Sequence, residues 1–260
     1  MAPLLISSPQ NPRIKRLMSL QQRSQQRRIE HRIVVEGARE LQHCINAGFT
    51  IETVFYCPTL FDIEKLQDTD LETVEVTPQV YEKIAYRSST EGVIAIVEPR
   101  FMSLSDIDLG DDPLIVVLEG VEKPGNIGAV LRSADAAQAT AVVVCDPLTD
   151  LYNPNLIRSS IGAIFTVPCV ACSSEECIKF LKENNIKILT AQLQDSELYY
   201  HTPMRGATAI VMGTESTGLT QAWRDAATAH IRIPMRGELD SLNVSVSAAI
   251  LLFEAVRQRE

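Results

Sequence analysis

The stretch "LIVVLEGVEKPGNIGAVLRSADA", residues 114–136, joins a continuous apolar run to a segment with helical periodicity through a turn that contains glycine. The apolar run predicts a strand buried on both faces of a sheet, and residues 126–138 are predicted to form the helix. Gly125 and Gly128 permit a tight turn. Their spacing matches neither the GxGxxG fingerprint of dinucleotide folds nor the GxxxxGK[ST] phosphate loop. The stretch therefore predicts an α/β unit with a parallel sheet and a ligand site of another kind.

The same alternation of strand and helix continues to the end of the chain. Further strands are predicted in "AVVVCD", "FTVPCV", "IKILTA", "ATAIVMG" and "HIRIPM", and further helices over residues 153–161, 174–184 and 219–227. Apolar strands that alternate with helices are typical of a parallel sheet covered on both faces. The last predicted helix, residues 244–257, is apolar on most of its faces. We expect its own domain or a partner subunit to cover it.

A separate α/β block is predicted over residues 1–98. Its predicted strands are "RIVVEG", "IETVFYC", "ETVEVT" and "GVIAIVE", and its predicted helices are "NPRIKRLMSLQQRSQQRR", "ARELQHCINAG" and "PQVYEKIA". The stretch that follows, residues 99–113, has two prolines and no clear periodicity, which is typical of a linker. The predicted organisation is a domain over 1–98, a linker over 99–113 and a second domain over 114–260.

The composition is that of a globular protein with an uneven charge distribution. The chain has 260 residues, of which 45% are hydrophobic, and its net charge is −9. No apolar run approaches the roughly 20 residues that span a bilayer, and the N-terminus lacks the apolar region of a signal peptide, so a cytoplasmic protein is expected. Residues 1–40 nevertheless hold eight basic and three acidic residues. This basic end predicts a surface that binds a polyanion, with a solvated helix face as the alternative.

Three of the six cysteines, Cys169, Cys172 and Cys177, are close together in the sequence. A metal site would need a second group of ligands, and no matched CxxC or HxxxH follows. A chain of this size also does not depend on disulfides for its core. We therefore expect reduced, structural cysteines and no metal.

Polar residues follow three of the predicted strands, where the carboxyl ends of parallel strands place ligands. Asn126 could cap the helix that it opens, or contact a ligand. Arg132, nearly two turns on, is expected on the same side of that helix, where it could bind a phosphate or form a surface ion pair. In "IVMGTESTGL", residues 210–219, Gly213 would let a planar ring or a ribose lie against the backbone, and Glu215 could orient a ligand or cap a helix.

The third polar stretch is "SLNVSVS", residues 241–247, directly before the apolar terminal helix. Its small polar side chains occupy alternate positions at Ser241, Asn243, Ser245 and Ser247. Ser241, Asn243 or Ser245 could cap that helix, but a cap needs only one such residue. The surplus predicts that they line a site.

These stretches carry a resemblance to a known family. "NIGAVLRSADA", "IVMGTESTGL" and "IRIPMRGELDSLNVSVSAAI" resemble, in this order, the three signature motifs of the SpoU family of RNA ribose methyltransferases, within the SPOUT class. Through "NPRIKRL", "VVEGAREL" and "SSTEGVIAIV", the first block resembles the substrate-binding domain of that family, a fold similar to ribosomal protein L30e. Glu91 stands where the family often has glutamine.

The resemblance implies that the protein transfers a methyl group from S-adenosyl-L-methionine to a ribose 2′-hydroxyl, in rRNA more than in tRNA. It also implies a deep trefoil knot in the C-terminal part of the catalytic domain and a homodimer with the site near the subunit interface. A dinucleotide-dependent enzyme is disfavoured because its fingerprint is absent. A non-catalytic RNA-binding or assembly factor on a methyltransferase scaffold is disfavoured because the polar set of the motifs is intact.

The resemblance also assigns roles to individual positions. The implied catalytic set is Asn126, Arg132, Glu215, Ser241 and Asn243. The implied cofactor contacts are Gly213, Ile233 and Leu242, with Thr190 and Ala191 as one wall of the adenine pocket. The proposed RNA contacts of the basic end are Arg13, Lys15 and Arg16. Arg132 has two open roles, as the proton acceptor or as a charged group that holds a phosphate and the emerging oxyanion.

Overall fold

The computed structural model describes residues 4–66, 71–86, 91–214 and 216–260. The chain divides into two compact units, Met1–Arg100 with Asp150–Thr166, and Phe101–Thr149 with Val167–Glu260. The segment Asp150–Thr166 therefore corrects the predicted domain boundaries, which assigned it to the second domain. None of the described helices combines the length and the apolar character that crossing a bilayer requires.

The elements are numbered in chain order. The strands are β1 (Leu4–Ile6), β2 (Ile33–Glu36), β3 (Ile51–Tyr56), β4 (Thr73–Val76), β5 (Val93–Val97), β6 (Leu114–Glu119), β7 (Ala141–Cys145), β8 (Cys169–Cys172), β9 (Lys187–Ala191), β10 (Glu197–Leu198), β11 (Thr208–Met212) and β12 (Ala229–Arg232). The helices are α1 (Pro12–Gln22), α2 (Ser24–Glu30), α3 (Ala38–Asn46), α4 (Pro78–Ile84), α5 (Pro124–Ala136), α6 (Pro154–Ser159), α7 (Ala163–Thr166), α8 (Ser174–Glu183), α9 (Gln221–Ala226) and α10 (Val244–Arg259). Single 3-10 turns lie at Ile63–Lys65, Leu104–Asp106 and Tyr199–His201.

The first unit is built on a mixed sheet with the order β1-β4-β3-β5-β2. Strands β1 and β3 run parallel to β4, whereas β5 runs antiparallel to β3 and β2. The apolar face of α1 packs on this sheet through Ile14, Leu17 and Leu20, all fully buried. The segment Asp150–Thr166 joins the unit because α6 packs on β2 and α7 packs on α3.

The helix predicted over "NPRIKRLMSLQQRSQQRR" is split into α1 and α2. Arg23 between them has an extended backbone, with φ −120° and ψ 109°. The Arg27 guanidinium donates to the carbonyl of Leu20 at 2.6 Å and to that of Gln21 at 3.2 Å. It also forms an ion pair of 2.7 Å with Asp150. A buried arginine thus satisfies the carbonyls that the break leaves without helical partners.

The second unit contains the predicted parallel sheet, with the order β10-β12-β9-β11-β6-β7-β8. Every paired strand in it is parallel to its neighbours, and β6, β7 and β11 are buried throughout. Trp223 of α9 and Leu181 of α8 are fully buried against this sheet. Helices α5 and α10 pack against each other and contact β7 and β11. The helices predicted after residue 114 agree with the observed ones within two residues at either end, apart from α7, which was not predicted.

Two predictions for the second block are wrong. The predicted linker contributes to the core of the second unit, since Ile107 is 7% exposed and Met102, Leu104 and Leu109 contact the same cluster. The predicted strand "FTVPCV" begins too early, because α7 occupies its first residues and β8 starts only after Pro168. Proline lacks the N–H that a strand interior needs.

Candidate active site

The carboxyl ends of β9, β11 and β12 surround a cavity of about 390 Å³. Its walls come from residues 191–194, 212–214, 216–219 and 231–233, and from Arg224, Met235, Asp240, Ser241, Leu242, Val244 and Ser247. This is the sheet edge at which parallel α/β folds bind ligands. Of the residues assigned to cofactor or catalysis, the cavity is lined by Ala191, Gly213, Ile233, Ser241 and Leu242.

Gly213 is needed for a reason other than the one expected from sequence. A Cβ at this position would lie 2.3 Å from the carbonyl carbon and oxygen of Gly218 and 2.7 Å from the Leu219 nitrogen. The neighbouring backbone of the same loop, not a ligand ring, occupies that space. The loop is closed further by the Gly218 N–H, which donates to the Thr214 carbonyl at 3.1 Å.

Glu119 fixes the far end of this loop and was not identified from the sequence. It ends β6 and is 6% exposed. Its carboxylate accepts hydrogen bonds from the Thr220 backbone N–H at 2.8 Å and from the Thr220 hydroxyl at 2.7 Å. Thr220 directly precedes α9, so the carboxylate also lies at the positive end of a helix. The only signal in the sequence is a charged residue at the end of a fully buried apolar strand.

A second cavity, of about 220 Å³, adjoins the first. The residues that line both are Gly213, Thr214, Ser216 and Val244. The second cavity is otherwise lined by Gly120, Val121, Glu122, Lys123 and Asn126. The two cavities thus share one wall, which places a cofactor-sized space beside a smaller one.

Asn126 and Asn243 are brought together at this second cavity. The Asn243 amide Nδ2 donates to Asn126 Oδ1 at 3.2 Å. Asn126 is the third residue of α5 and does not cap it, because the helix begins at Pro124. Asn243 caps α10 instead, with Oδ1 accepting from the Ser245 N–H at 3.0 Å. The capping alternative for Asn126 is therefore wrong, and its side chain is directed to Asn243.

Arg132 does not lie with this pair. Six residues along a helix, at about 100° each, place it about 120° around α5 from Asn126. It is exposed and lines neither cavity. The expectation of a shared helix side is wrong. Glu215 lies outside the described residues.

Thr190 is not at the wall of the cofactor-sized cavity. Its side chain is fully buried, and its hydroxyl lies 2.6 Å from His230 Nδ1. Strand residues alternate between faces, so its neighbour Ala191 reaches the cavity while Thr190 faces the interior.

Arg224 of α9 is a cavity residue that the sequence did not reveal. It lines the larger cavity, and its Nε is buried with no hydrogen-bond partner among the described residues. A buried guanidinium N–H without a partner is costly, and a carboxylate or phosphate satisfies it best. The arrangement suits a ligand with an apolar body and one anionic end.

Comparisons with known proteins agree with this geometry. The model of the SpoU rRNA methylase family matches residues 113–253, and that of the MRM3-like substrate binding domain matches residues 11–95. The chain belongs to the SpoU rRNA methylase family. A SpoU relative from Vibrio vulnificus, 23S rRNA (guanosine-2′-O-)-methyltransferase RlmB, is 35% identical over 204 residues, which cover 76% of this chain and 82% of that protein.

Solved structures of RNA methyltransferases match nearly the whole chain. A crystal structure of an RNA 2′-O ribose methyltransferase is 39% identical, with a TM-score of 0.88, and covers 98% of this chain and 99% of that one. An AdoMet-bound rRNA methyltransferase from Sinorhizobium meliloti is 27% identical, with a TM-score of 0.89 and 97% coverage of both chains. The fold class predicted from the SpoU motifs, an α/β parallel-sheet domain after a smaller substrate-binding domain, is confirmed.

Several basic side chains near the N-terminus are paired with carboxylates, so fewer of them are available to bind RNA than the composition predicts. Arg13 forms an ion pair of 2.7 Å with Glu72, and Arg16 pairs with Glu30 at 2.6 Å and with Glu52. The hydrogen bond to Glu52 raises the pKa of Arg16 above its usual range. Two of the three proposed RNA contacts are therefore already engaged by carboxylates.

Three other cations, in and between α1 and α2, are open to solvent. Lys15, Arg23 and Arg28 are exposed, and no ion pair joins them to a carboxylate within the described ranges. Of the three predicted RNA contacts, only Lys15 presents an uncompensated charge.

Proposed function

We propose that this protein methylates a ribose 2′-hydroxyl of rRNA with S-adenosyl-L-methionine as the methyl donor. The observation that carries the proposal is the pair of adjoining cavities, with the Asn126–Asn243 hydrogen bond at the smaller one. The relative from Vibrio vulnificus is named for a guanosine of 23S rRNA, and we propose the same substrate here rather than tRNA.

The larger cavity fits the cofactor. Its volume of about 390 Å³ is in the range of small-molecule sites, about 300–1,000 Å³. Apolar side chains such as Leu219, Ile231 and Leu242 surround it. Arg224, whose Nε has no hydrogen-bond partner among the described residues, would hold the methionine carboxylate. When bound, the cofactor supplies an electrophilic methyl group on a sulfonium.

The smaller cavity is proposed to receive the ribose. Asn126 and Asn243 fix each other, so that an amide group is held in place beside the 2′-hydroxyl. Lys123 at the same cavity would bind an adjacent phosphate. We propose that Arg132 acts as a charged group that stabilises the 2′-oxyanion and a phosphate, because a guanidinium with a pKa above about 12 is a poor proton acceptor.

We further propose a homodimer in which α10 is part of the interface. One side of α10 is buried in its own unit through Ala248, Leu251 and Leu252. The other side leaves Val246 47% and Phe253 49% exposed, with Ile250 between them only half-buried. Spacings of four and three residues place these apolar side chains on one stripe. A second copy of the chain would cover this stripe, and its site would be completed by the exposed Arg132.

Three further expectations are kept as proposals. The C-terminal part of the second unit is proposed to form the trefoil knot implied by the family, and the first unit is proposed to share the fold of ribosomal protein L30e. An rRNA substrate supports activity in the cytoplasm, where ribosomes are assembled.

The direct test uses 23S rRNA from a strain that lacks the corresponding methyltransferase. Incubation with the protein and radiolabelled cofactor should give a labelled dinucleotide that resists alkaline hydrolysis, because a 2′-O-methyl group removes the nucleophile of strand cleavage. Label on a base, in alkali-sensitive product, would contradict ribose methylation. Labelling of tRNA but not rRNA would contradict the substrate assignment.

A further inference from the structure

Three cysteine thiols from separate elements meet at one edge of the second sheet. Cys145 ends β7, Cys172 ends β8 and Cys177 lies in the first turn of α8. Cys145 and Cys172 are paired across the parallel ladder, so their side chains lie on the same face of the sheet. All three Sγ atoms lie within 4.8 Å of one another. Sequence spacing had grouped Cys169 with the last two, whereas the fold replaces it with the distant Cys145.

We propose that Cys145, Cys172 and Cys177 bind a thiophilic divalent cation of the Zn²⁺ class. With Zn–S bonds of about 2.3 Å, tetrahedral geometry separates two sulfurs by about 3.8 Å, so the thiols need to approach by at most about 1 Å. Cys145 and Cys177 are fully buried and Cys172 is half-buried. The ion would enter beside Cys172, and water would take the fourth position.

The surroundings favour sulfur as the only protein donor. The nearby carboxylates of Asp146 and Glu176 accept hydrogen bonds from Ser174 at 2.6 Å and from Ser173 at 2.8 Å. A set of three thiolates selects thiophilic ions against Mg²⁺ and Ca²⁺, which require oxygen ligands.

One helix terminus beside the cluster suits the negative charge of metal-bound thiolates. The first turn of α8 places the positive end of a helix beside the sulfurs. Each thiol that coordinates the ion releases its proton to solvent, and no oxidant or reductant takes part.

A bound ion would stabilise the loops beside the candidate active site. Ser174, two residues beyond Cys172, accepts a hydrogen bond from the Trp223 indole N–H at 3.0 Å. Its hydroxyl also lies 3.3 Å from Glu119, the carboxylate that holds Thr220 before α9. The ion would tie β7, β8 and α8 together at the point where α9 is anchored.

The test is a titration of the reduced, metal-free full-length protein with Co²⁺ under anaerobic conditions. We expect a thiolate-to-cobalt charge-transfer band that saturates at one Co²⁺ per chain and disappears when Zn²⁺ is added. Cys172→Ser should weaken Co²⁺ binding at least tenfold. Cys169→Ser is the matched control, since it removes a cysteine of the same strand outside the cluster, and it should bind Co²⁺ like the parent.

Two results would overturn the proposal. One is the absence of a charge-transfer band in the parent protein, and the other is an unchanged titration in Cys172→Ser. If circular dichroism shows that Cys172→Ser does not fold, the same titration is carried out with Cys177→Ala, because alanine is well tolerated in a helix. A Zn²⁺-dependent rise in Tm in the parent and in Cys169→Ser, but not in the cluster variants, is the second expected readout.

Discussion

At the scale of single residues, the loop at the cavity has no room for a side chain at Gly213. Gly213→Ala would push the Gly218 carbonyl away, because the new Cβ would lie 2.3 Å from it. We expect at least a tenfold loss of affinity for S-adenosylhomocysteine, measured by calorimetry. Gly237→Ala is the control, since a Cβ there meets nothing within 4 Å, and it should bind normally. Normal binding by Gly213→Ala would exclude the loop as part of the cofactor site.

Asn126 and Asn243 should act together on the rate of methyl transfer and have little effect on cofactor binding. Asn126→Ala leaves the larger cavity intact, so methyl transfer should fall at least a hundredfold while S-adenosylhomocysteine binds as before. Because each amide positions the other, the double variant with Asn243→Ala should lose little more rate than either single variant. Single-turnover methylation of rRNA measures both effects. Additive losses would mean that the two amides act independently.

The motifs predicted which residues lie at the site, but often not the structural role of each residue. Asn243 was correctly considered as a cap of α10, whereas Asn126 was not a cap because α5 begins at Pro124. Gly213 belongs to a loop contact that sequence spacing does not encode. Glu119 was missed because its partner, Thr220, is 101 residues away in the chain. Arg224 was missed because only the fold shows that it lines the cavity.

At the scale of elements, RNA binding by the first helices should depend on their unpaired cations. The triple variant Lys15→Gln, Arg23→Gln and Arg28→Gln removes three exposed charges. We expect weaker rRNA binding at low salt and a slope of log K against log salt that is flatter by about 2, since fewer counterions are released. Filter binding across a salt series measures this.

The matching control removes three exposed cations of the second unit, Lys179, Lys182 and Arg205, by substitution with glutamine. It carries the same net charge change and should leave the slope unchanged. Equal effects in both triple variants would mean that overall charge, not the α1 and α2 surface, sets the affinity.

Glu40 of α3 should make the first unit sensitive to alkali. Its Oε2 is buried without a hydrogen-bond partner among the described residues, and burial raises its pKa. The pKa of Glu40 is higher in the folded than in the unfolded state. Its contribution to the stability of the folded state is therefore complete at low pH and is lost as the pH rises through the folded pKa. Glu40→Gln should therefore gain about 1 kcal/mol of stability at pH 8 and nothing at pH 4. Denaturant unfolding measures this, with exposed Glu82→Gln as an unaffected control; equal gains at both pH values would exclude titration of Glu40 as the cause.

The type and order of most elements could be predicted, because their apolar runs are long and clearly periodic. The predicted linker failed for the opposite reason. Met102, Leu104, Ile107 and Leu109 are isolated apolar residues among aspartates and serines, and only contact with the sheet shows that they are core. Strand β1 has three residues, too few for a periodic signal.

At the scale of the whole molecule, the proposed dimer makes a prediction about complementation. If Arg132 serves the partner's site, then Arg132→Ala and Asn126→Ala damage the same site of a mixed dimer, and the other site remains intact. Two inactive variants, co-expressed and purified through separate tags, should regain up to half of the parent activity. No recovery in a dimer verified by light scattering would place Arg132 in its own subunit's site. A monomeric parent protein would exclude the dimer itself.

The division of the first unit into two chain segments has a consequence for synthesis. Leu156 and Ile157 of α6 are almost fully buried in that unit, yet β6 and β7 are made before them. A nascent chain that has released only residues 1–98 lacks the helices that cover β2 and α3. The N-terminal unit therefore cannot finish folding first, as a leading domain ordinarily does. Truncation at residue 98 would expose the same surfaces permanently, so isolated fragments of the first unit should aggregate unless residues 150–166 are supplied.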